Sequence, residues 1–193
     1  MCGRYYVDDE TAKEIERMVR RAEEKLKNLS HKDIHPTELA PVLYGQNRIV
    51  SCENMRWGFP GFEKKQVIFN ARSESVLEKN TFRESTLHRR IVVPAAGFYE
   101  WNRQKEKNLF FRKDHPVLFM AGIYKRYQDG DRFVILTTKA NASMSPVHDR
   151  MPLLLQENDI LPWMFDDAEV QKLLAKQPEL LERRTEYEQL SLF

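Results

Sequence analysis

The sequence predicts an α+β protein with a curved, mainly antiparallel, barrel-like sheet and peripheral helices. Strand-like apolar runs outnumber helical patterns and cluster in the middle of the chain. Helical patterns lie near the two ends and in one short central segment, so the strict strand–helix alternation of a doubly wound fold is missing. The 193 residues suit one domain with a sizeable core, and we expect a single domain over residues 1–193.

The first part of the chain predicts one helix and one hairpin. Residues 8–28 are typical of an exposed amphipathic helix capped by Asp8 or Asp9. Its apolar stripe consists of Ile15, Met18, Val19, Ala22 and Leu26. Residues 35–43, HPTELAPVL, predict an irregular segment punctuated by prolines. Residues 47–59 predict a hairpin in which Cys52 is a small buried apolar residue.

The remainder of the chain predicts strands flanked by short helices. QVIFNARSES predicts a strand that leads into a loop or a helix start, and NTFRESTLHRR a short helix capped by Asn80 or Thr81. Four strand-like runs follow, namely RIVVPAAGFYEW, LFFRK, PVLFMAGIY and RFVILTT. The segments ENDILPWMF and DAEVQKLLAK predict late helices.

Composition excludes several classes of protein. The net charge of +2 does not by itself indicate a nucleic-acid binder, but residues 79–90 and 103–115 are locally basic. Two cysteines with no Cys/His cluster predict neither a disulfide framework nor a metal or other cofactor. The sequence shows no signal-peptide pattern and no apolar run approaching ~18 residues, so we expect no membrane partner. For a bacterial source these features predict a cytoplasmic protein.

Cys2 directly follows the initiator methionine and is small enough for ordinary methionine trimming. After trimming, this residue carries a free α-amine and a thiol on adjacent carbons, which together form a 1,2-aminothiol. The alternative is that a cysteine at this position has no chemical role.

Five further residues have both a chemical and a structural interpretation. Glu100 lies among aromatic residues, where burial would suit it to proton transfer, unless strand alternation turns it to solvent. Asn70 and Arg72 follow an apolar strand. In the chemical interpretation Asn70 supplies an amide that donates and accepts hydrogen bonds, and Arg72 supplies a planar guanidinium that binds phosphate. In the structural interpretation they are a turn and an exposed arginine. His148 is either a proton donor and acceptor near neutral pH or a loop histidine. Trp57 is a core residue by default, or an exposed ring that stacks on a base.

Together these motifs resemble those of the SRAP family, the SOS response-associated peptidase-like proteins. MCGR at the start, RWGF, NARSES, FR at 82–83, PAAGFYEW and HDRMP occur in the family's order and spacing, from Cys2 to about Trp163. Family members are also described as abasic-site DNA–protein crosslinking or shielding proteins. The resemblance implies an α+β fold with a barrel-like core and a monomer that binds single-stranded DNA containing abasic sites. For a bacterial source it also implies association with the nucleoid during DNA damage.

The resemblance also implies a chemistry and its residues. Mature Cys2 would form a thiazolidine crosslink with the aldehyde of the abasic sugar, beside Asn70, with Glu100 and His148 as proton handlers. It further implies lyase-like self-reversal of the crosslink and autoproteolytic removal of Met1. The expected DNA contacts are the phosphate-binding Arg4, Arg72 and Arg83, the exposed aromatic Trp57, and the contact positions Thr137 and Arg150.

The sequence departs from the family in two places. Asp33 stands where members commonly carry an asparagine, and the segment after RWGF is shorter than usual. Both departures would change how the DNA that flanks the lesion is held.

Three other functions remain open at this point. A thiol peptidase would use Cys2 and His148 with Glu100 or Asn70 as the orienting group. A noncovalent reader of modified bases would need Trp57 and the arginines but not Cys2. A purely structural domain would leave the polar motifs unexplained.

Overall fold

A computed structural model of the chain describes residues 2–19, 32–61, 63 and 65–185. Its helices are α1 (Asp9–Met18), α2 (Asn80–His88), α3 (Glu157–Phe165) and α4 (Val170–Leu174). Its strands are β1 (Tyr5–Val7), β2 (Lys32–Ile34), β3 (Leu39–Gln46), β4 (Ile49–Trp57), β5 (Phe59–Pro60), β6 (Val67–Ile68), β7 (Asn70–Arg72), β8 (Arg90–Ala95), β9 (Gly97–Trp101), β10 (Lys107–Phe111), β11 (Leu118–Tyr127), β12 (Gly130–Lys139), β13 (Arg150–Pro152), β14 (Leu154–Leu155) and β15 (Glu182–Thr185).

A closed barrel of five strands forms the core. The strands β12, β4, β3, β8 and β11 pair in that order, and β11 pairs back to β12. All pairings are antiparallel except that of β4 with β12, where Trp57 lies opposite Phe133. Because closure leaves no free edge, apolar residues of all five strands are buried together. The predicted α+β class with a curved, barrel-like sheet is confirmed.

A second sheet, in the order β15-β10-β9-β1-β2, lies outside the barrel ring. The chain passes from the barrel into this sheet at Ala96, between β8 and β9, so the run RIVVPAAGFYEW is two strands in two sheets. Strand β7 adds to the barrel by pairing in parallel with β12, which places Asn70 opposite Ile135. This arrangement brings the start of the chain, β7 and β9 together.

The predicted N-terminal helix is confirmed at its beginning and is shorter than expected. Asp8 is the cap, because its carboxylate accepts a hydrogen bond of 2.9 Å from the backbone N–H of Thr11. The helix ends at Met18, since Val19 has an extended backbone. Residues 20–28 of the prediction lie outside the described residues.

The expectation of an irregular segment over residues 35–43 is wrong from Leu39 onward, where strand β3 begins. Pro41 is tolerated because β8 pairs only with the later positions Leu43 and Tyr44, so β3 has a single neighbour at the proline. The short proline-flanked pattern contains no signal for this pairing, which depends on remote strands.

Apart from one hairpin, the other predicted elements are present with different bounds, whereas β1, β2 and β13–β15 have no counterpart in the sequence prediction. The expectation of a hairpin within residues 47–59 is wrong, because residues 49–57 are one strand, β4, which pairs with β3. The turn of the β3–β4 hairpin lies at Asn47 and Arg48, whose φ values of 51° and 59° suit a tight two-residue turn. Cys52 is buried as expected.

The central short helix begins one residue earlier than predicted, with Lys79 rather than Asn80 or Thr81 at the cap position. Both late helices are present as α3 and α4, and no described helix is long and apolar enough to cross a membrane.

Candidate functional site

Cys2 lies just before β1 and is 1% exposed. Its Sγ is 3.8 Å from the carbonyl oxygen of Arg4, to which it donates. Burial, and secondly the nearby carboxylate of Glu100, raise the pKa of the Cys2 thiol from 9.0 to about 12. The sulfur is therefore protonated at neutral pH. Met1 lies outside the described residues.

Asn70 fixes the backbone of Cys2. Its Nδ2 donates a hydrogen bond of 2.9 Å to the carbonyl oxygen of Cys2, 68 positions away in the sequence. Asn70 has a fixed position because β7 is held parallel to β12 at this point. Its Oδ1 is buried and has no hydrogen-bond partner among the described residues. The structure thus brings Asn70 to the backbone of Cys2, and its role beside a crosslink stays a prediction.

Glu100 is 6% exposed and lies on β9, opposite Asn108. The pairing of Tyr5 with Phe98 and the hydrogen bond from the N–H of Tyr99 to the carbonyl of Arg4 bring the start of the chain alongside Glu100. The Oε1 of Glu100 accepts a hydrogen bond of 3.3 Å from the N–H of Trp101. The alternative of a solvent-facing carboxylate is thus wrong, since Glu100 lies on the same buried face of β9 as Phe98.

His148 lies in the segment between β12 and β13, and its side chain is 25% exposed. Its Nδ1 is 2.9 Å from the N–H of Arg150 and 2.9 Å from a carboxylate oxygen of Asp149. His148 and Trp101 line the same cavity of about 630 Å³, which lies between this segment and the β9–β10 loop.

A second cavity of about 630 Å³ lies on the Asn70 side. It is lined by Arg72 and by the first turn of α2, where Lys79 makes no side-chain cap. The first backbone N–H groups of a helix lack intrahelical partners and favour anions. Arg72 is exposed here, and Arg83 is exposed on the next turn of the same helix. This face suits the phosphate contacts predicted for both arginines.

Arg4 is already engaged within the protein. Its Nη2 forms an ion pair of 2.5 Å with Asp33, and its guanidinium lies 5.4 Å from the centre of the Tyr99 ring. Asp33 is the residue at which the sequence departs from the family pattern. Because this carboxylate offsets the charge of Arg4, Arg72 and Arg83 have the more open cationic side chains.

The expectation that Trp57 is an exposed aromatic at the DNA is wrong. Trp57 is 0% exposed, and its Nε1 donates a hydrogen bond of 2.9 Å to the carbonyl of Phe69. Its ring stacks on Phe133 with an interplanar angle of 8° and lies 5.1 Å from the ring of Tyr5. Closure of the barrel and the packing of β1 against it cover both faces of the ring, so it cannot stack on a base.

Thr137 and Arg150 are also buried, which corrects the expectation that they contact DNA directly. Thr137 is 0% exposed, and the guanidinium of Arg150 donates two hydrogen bonds, of 2.7 and 2.8 Å, to Glu74. These hydrogen bonds lower the pKa of the Glu74 carboxyl. The pair ties β13, and with it the segment that carries His148, to the turn after Arg72.

Sequence reasoning did not identify Glu74 or Lys79 as site residues. Glu74 lies within the NARSES motif, where a carboxylate near arginines was an available signal. Lys79 was missed because the start of α2 was placed one residue too late. Over the described ranges, no group of three or more His, Cys, Asp or Glu side chains is arranged to hold a metal ion.

Relatives with known names share part of this sequence. The abasic site processing protein YoqW of Bacillus subtilis is 33% identical over 124 residues, which cover 57% of this chain and 55% of YoqW. YedK of Escherichia coli is 31% identical over 116 residues, covering 56% and 52% of the two chains. HMCES of Gallus gallus is 30% identical over 153 residues, covering 61% and 46%. The chain thus spans about half the length of the curated relatives it matches.

Solved structures show the same fold. A protein from Bacteroides thetaiotaomicron superposes with a TM-score of 0.78 at 23% identity, over 95% of this chain and 91% of that one. A phage-related protein from Bordetella bronchiseptica gives a TM-score of 0.77 at 22% identity, over 95% and 93%. The family model described as SOS response associated peptidase (SRAP) matches residues 1–190. With this match over nearly its whole length, the chain belongs to the SRAP family.

Proposed function

We propose that the mature chain senses and shields abasic sites in single-stranded DNA through a thiazolidine crosslink between Cys2 and the sugar aldehyde. One observation carries this proposal. A buried thiol, adjacent to what becomes the α-amine, lies beside the Glu100 carboxylate while the Asn70 amide holds its backbone. The names of the relatives, abasic site processing proteins, support the choice of DNA lesion.

The first step needs a free amine, so Met1 must be removed, either by the chain itself or by an aminopeptidase. At pH 7 an α-amine with a pKa of about 7.7–8.0 is ~10–20% neutral, whereas a lysine with a pKa of about 10.4 is ~0.04% neutral. The neutral amine adds to the aldehyde carbon of the ring-opened sugar, and loss of water leaves a Schiff base. The N-terminus is therefore a better nucleophile for this step than any lysine.

The second step closes a five-membered ring. The sulfur of Cys2 bonds to the imine carbon, the thiol gives up its proton, and the imine nitrogen gains one. Because burial raises the pKa of this thiol to about 12, the step needs a base, and the Glu100 carboxylate is the neighbouring group that fills this role. Attack within one residue has a very high effective molarity. The ring removes the imine that would promote β-elimination, so the DNA strand stays intact.

The remaining polar groups bind the sugar and the strand. The buried Oδ1 of Asn70 is placed to accept a hydrogen bond from the opened sugar. His148 protonates the sugar ring oxygen during opening or the oxygen that leaves as water. Arg72, Arg83 and the start of α2 hold phosphates on either side of the lesion. Self-reversal would use the same proton handlers in the opposite direction.

The rival functions are less well supported. Cysteine nucleophiles in peptidases have a lowered thiol pKa, whereas that of Cys2 is raised, which disfavours a thiol peptidase. A noncovalent reader of modified bases depended on an exposed Trp57, and this ring is buried.

The deciding experiment blocks the amine and keeps the thiol. A variant with an uncleavable extension ahead of Cys2 has an amide nitrogen, which cannot form a Schiff base. We expect no stable adduct with abasic single-stranded DNA on a denaturing gel, because the thiol alone gives only a reversible hemithioacetal. Affinity for a tetrahydrofuran analogue of the abasic site controls for obstruction of the DNA groove. Normal affinity for this analogue together with a full-yield, heat-stable crosslink would refute the aminothiol mechanism.

A further inference from the structure

The last eight residues of the sequence, EYEQLSLF, change character abruptly. Residues 182–188 contain five charged side chains, whereas Leu190, Leu192 and Phe193 supply three large apolar side chains within five positions. Gln189 opens this pentapeptide with an amide that both donates and accepts hydrogen bonds. Spaced apolar anchors with one polar amide are typical of short linear peptides that dock in an apolar groove of a partner.

The strand that directly precedes this segment, β15, is exposed along most of its length. Thr185 closes β15, the edge strand of the outer sheet, and Glu182, Arg183 and Arg184 of this strand are exposed. Asn108 pairs with both Thr185 and Glu100, so two strand spacings, about 10 Å, separate the end of β15 from Glu100. The three residues 186–188 span at most about 11 Å. A partner that holds the pentapeptide therefore lies close to the proposed DNA-binding face.

We propose that residues 189–193, QLSLF, dock this protein on the ring-shaped sliding clamp that encircles DNA and tethers polymerases. The order glutamine, leucine, serine or aspartate, leucine, phenylalanine is the pattern of peptides that bind bacterial clamps. The clamp groove supplies what this chemistry requires, namely adjacent apolar pockets for the leucine and phenylalanine side chains and a polar rim for the glutamine amide. The inference is independent of the crosslinking chemistry, because the pentapeptide contributes no group to the proposed reaction.

Clamp docking would add a targeting function. A tethered module reaches its second binding site at an effective concentration of about millimolar for short linkers. Because the clamp encircles DNA, the short span from β15 would keep the Cys2 site beside the strand that the clamp has reached. Capture of abasic sites would then be concentrated at sites of DNA synthesis.

The test measures binding of the full-length protein to purified Bacillus subtilis sliding clamp, immobilised on a sensor surface without DNA. We expect saturable binding below about 100 μM, and a loss of more than about 30-fold in the Leu192→Ala/Phe193→Ala variant, the loss typical of truncated anchors. The matched control is Leu180→Ala, which removes an equally apolar side chain that is 69% exposed but lies before β15. This control should bind as the wild type does.

Three results would overturn the proposal. The first is that the wild type does not bind the clamp at concentrations up to about 100 μM. The second is that the Leu192→Ala/Phe193→Ala variant binds as tightly as the wild type. The third is that Leu180→Ala loses as much affinity as the double variant. Crosslinking to abasic DNA is assayed separately, and the double variant should retain the wild-type yield. A wild type that binds the clamp but makes no crosslink would refute the proposed function and leave clamp docking intact.

A different observation concerns Tyr5, which is 0% exposed and whose hydroxyl has no hydrogen-bond partner among the described residues. Its ring contacts Trp57, which in turn donates to the carbonyl of Phe69, the residue before Asn70. Tyr5 lies on β1, three residues after Cys2, and its ring packs against the barrel. Burial, and secondly the proximity of Cys2, raise the pKa of Tyr5, so its hydroxyl remains a donor. A buried donor without an acceptor is costly, which points to a partner formed during the reaction.

We infer that the Tyr5 hydroxyl donates a hydrogen bond to the Cys2 sulfur as this sulfur loses its proton to Glu100 and bonds to the imine carbon. No proton leaves Tyr5, and the hydrogen bond is released once the ring has closed. This role rests on the proposed function and assigns a catalytic group within it.

Tyr5→Phe isolates this hydrogen bond. Removal of an unpaired buried hydroxyl should leave the free energy of unfolding equal or higher. We expect ring closure to slow about tenfold, so that the borohydride-trappable Schiff base accumulates before the stable adduct. An unchanged ratio of Schiff base to stable adduct over time, beside a crosslinking wild type, would remove Tyr5 from the mechanism. A wild type that makes no crosslink would refute the proposed function and this role together.

Discussion

The two cysteines are both buried, but the residues that surround them differ in polarity. Cys52 is 4% exposed on β4 of the barrel, where it lies opposite Leu43 in an antiparallel pair. Cys2 is 1% exposed where the start of the chain meets both sheets, and an amide and a carboxylate from remote strands are its neighbours. Burial alone therefore does not distinguish a structural cysteine from a reactive one.

The difference lies in what each region stabilises. The barrel buries apolar side chains, for which volume and shape are decisive. The junction around Cys2 instead keeps buried polar atoms, among them the Oδ1 of Asn70 and the hydroxyl of Tyr5, without partners in the described part of the chain. Such atoms reduce stability unless a ligand or a reaction satisfies them. We take this contrast as the physical signature of the site.

The largest expected effect separates the two cysteines directly. Cys2→Ala keeps the α-amine but cannot close the ring, so it should lose the heat-stable crosslink and leave a labile Schiff base. Cys52→Ala should crosslink fully while the free energy of unfolding falls by about 1 kcal/mol. Denaturing gels with and without borohydride, together with urea unfolding, measure both. A stable adduct from Cys2→Ala at wild-type yield would contradict the thiazolidine mechanism.

The next effect compares the carboxylates near each cysteine. Glu100→Gln should slow both formation and reversal of the crosslink about 10²-fold, because an acid–base catalyst acts in both directions. Glu53→Gln changes the residue that follows Cys52 on β4 and should leave both rates unchanged. Time courses at neutral pH measure the two rates. An unaltered reversal rate in Glu100→Gln would assign this residue a structural role.

A smaller effect concerns alkaline stability. The pKa of Cys2 is raised in the folded state, from 9.0 to about 12, so its contribution is present below pH 9 and is lost as the pH rises towards 12. Cys2→Ala removes the thiol and with it this pH-dependent contribution to the free energy of unfolding. Between about pH 8 and pH 10.5 its free energy of unfolding should therefore decline by about 1–2 kcal/mol less than that of the wild type. Equal declines, measured by urea unfolding with a reductant present, would show that the thiol ionises normally.

The smallest expected effect is on the salt dependence of DNA binding. Arg72→Ala and Arg83→Ala should each lower the slope of log affinity against log salt by about 0.7, the value for one phosphate contact on a single strand. Arg48 is exposed at the β3–β4 turn, on the hairpin that carries Cys52, and Arg48→Ala should leave the slope unchanged. Titration of the tetrahydrofuran analogue at several salt concentrations gives the slopes. Identical slopes for all four proteins would show that neither arginine contacts a phosphate.

Much of this molecule was predictable from local sequence. Apolar runs located β4 and β8–β12, and Asp8 marked the start of α1 because a cap is a contact within one helical turn. The motifs also identified Cys2, Asn70 and Glu100, whose side chains the structure brings to one site. These features can be predicted from sequence because each depends on a residue and its near neighbours, or on a combination of motifs that a family shares.

Tertiary structure alone decided which faces are covered. RWGF is compatible with an exposed or a buried Trp57, and closure of the barrel by the parallel pairing of β4 with β12 buries it. Arg150 is indistinguishable from a DNA-binding arginine until Glu74, 76 positions away, is found to accept from it. The physical reason is that burial and ion pairing depend on which remote strands become neighbours. Sequence periodicity indicates which face of a strand or helix is apolar, but it does not indicate which element packs against that face.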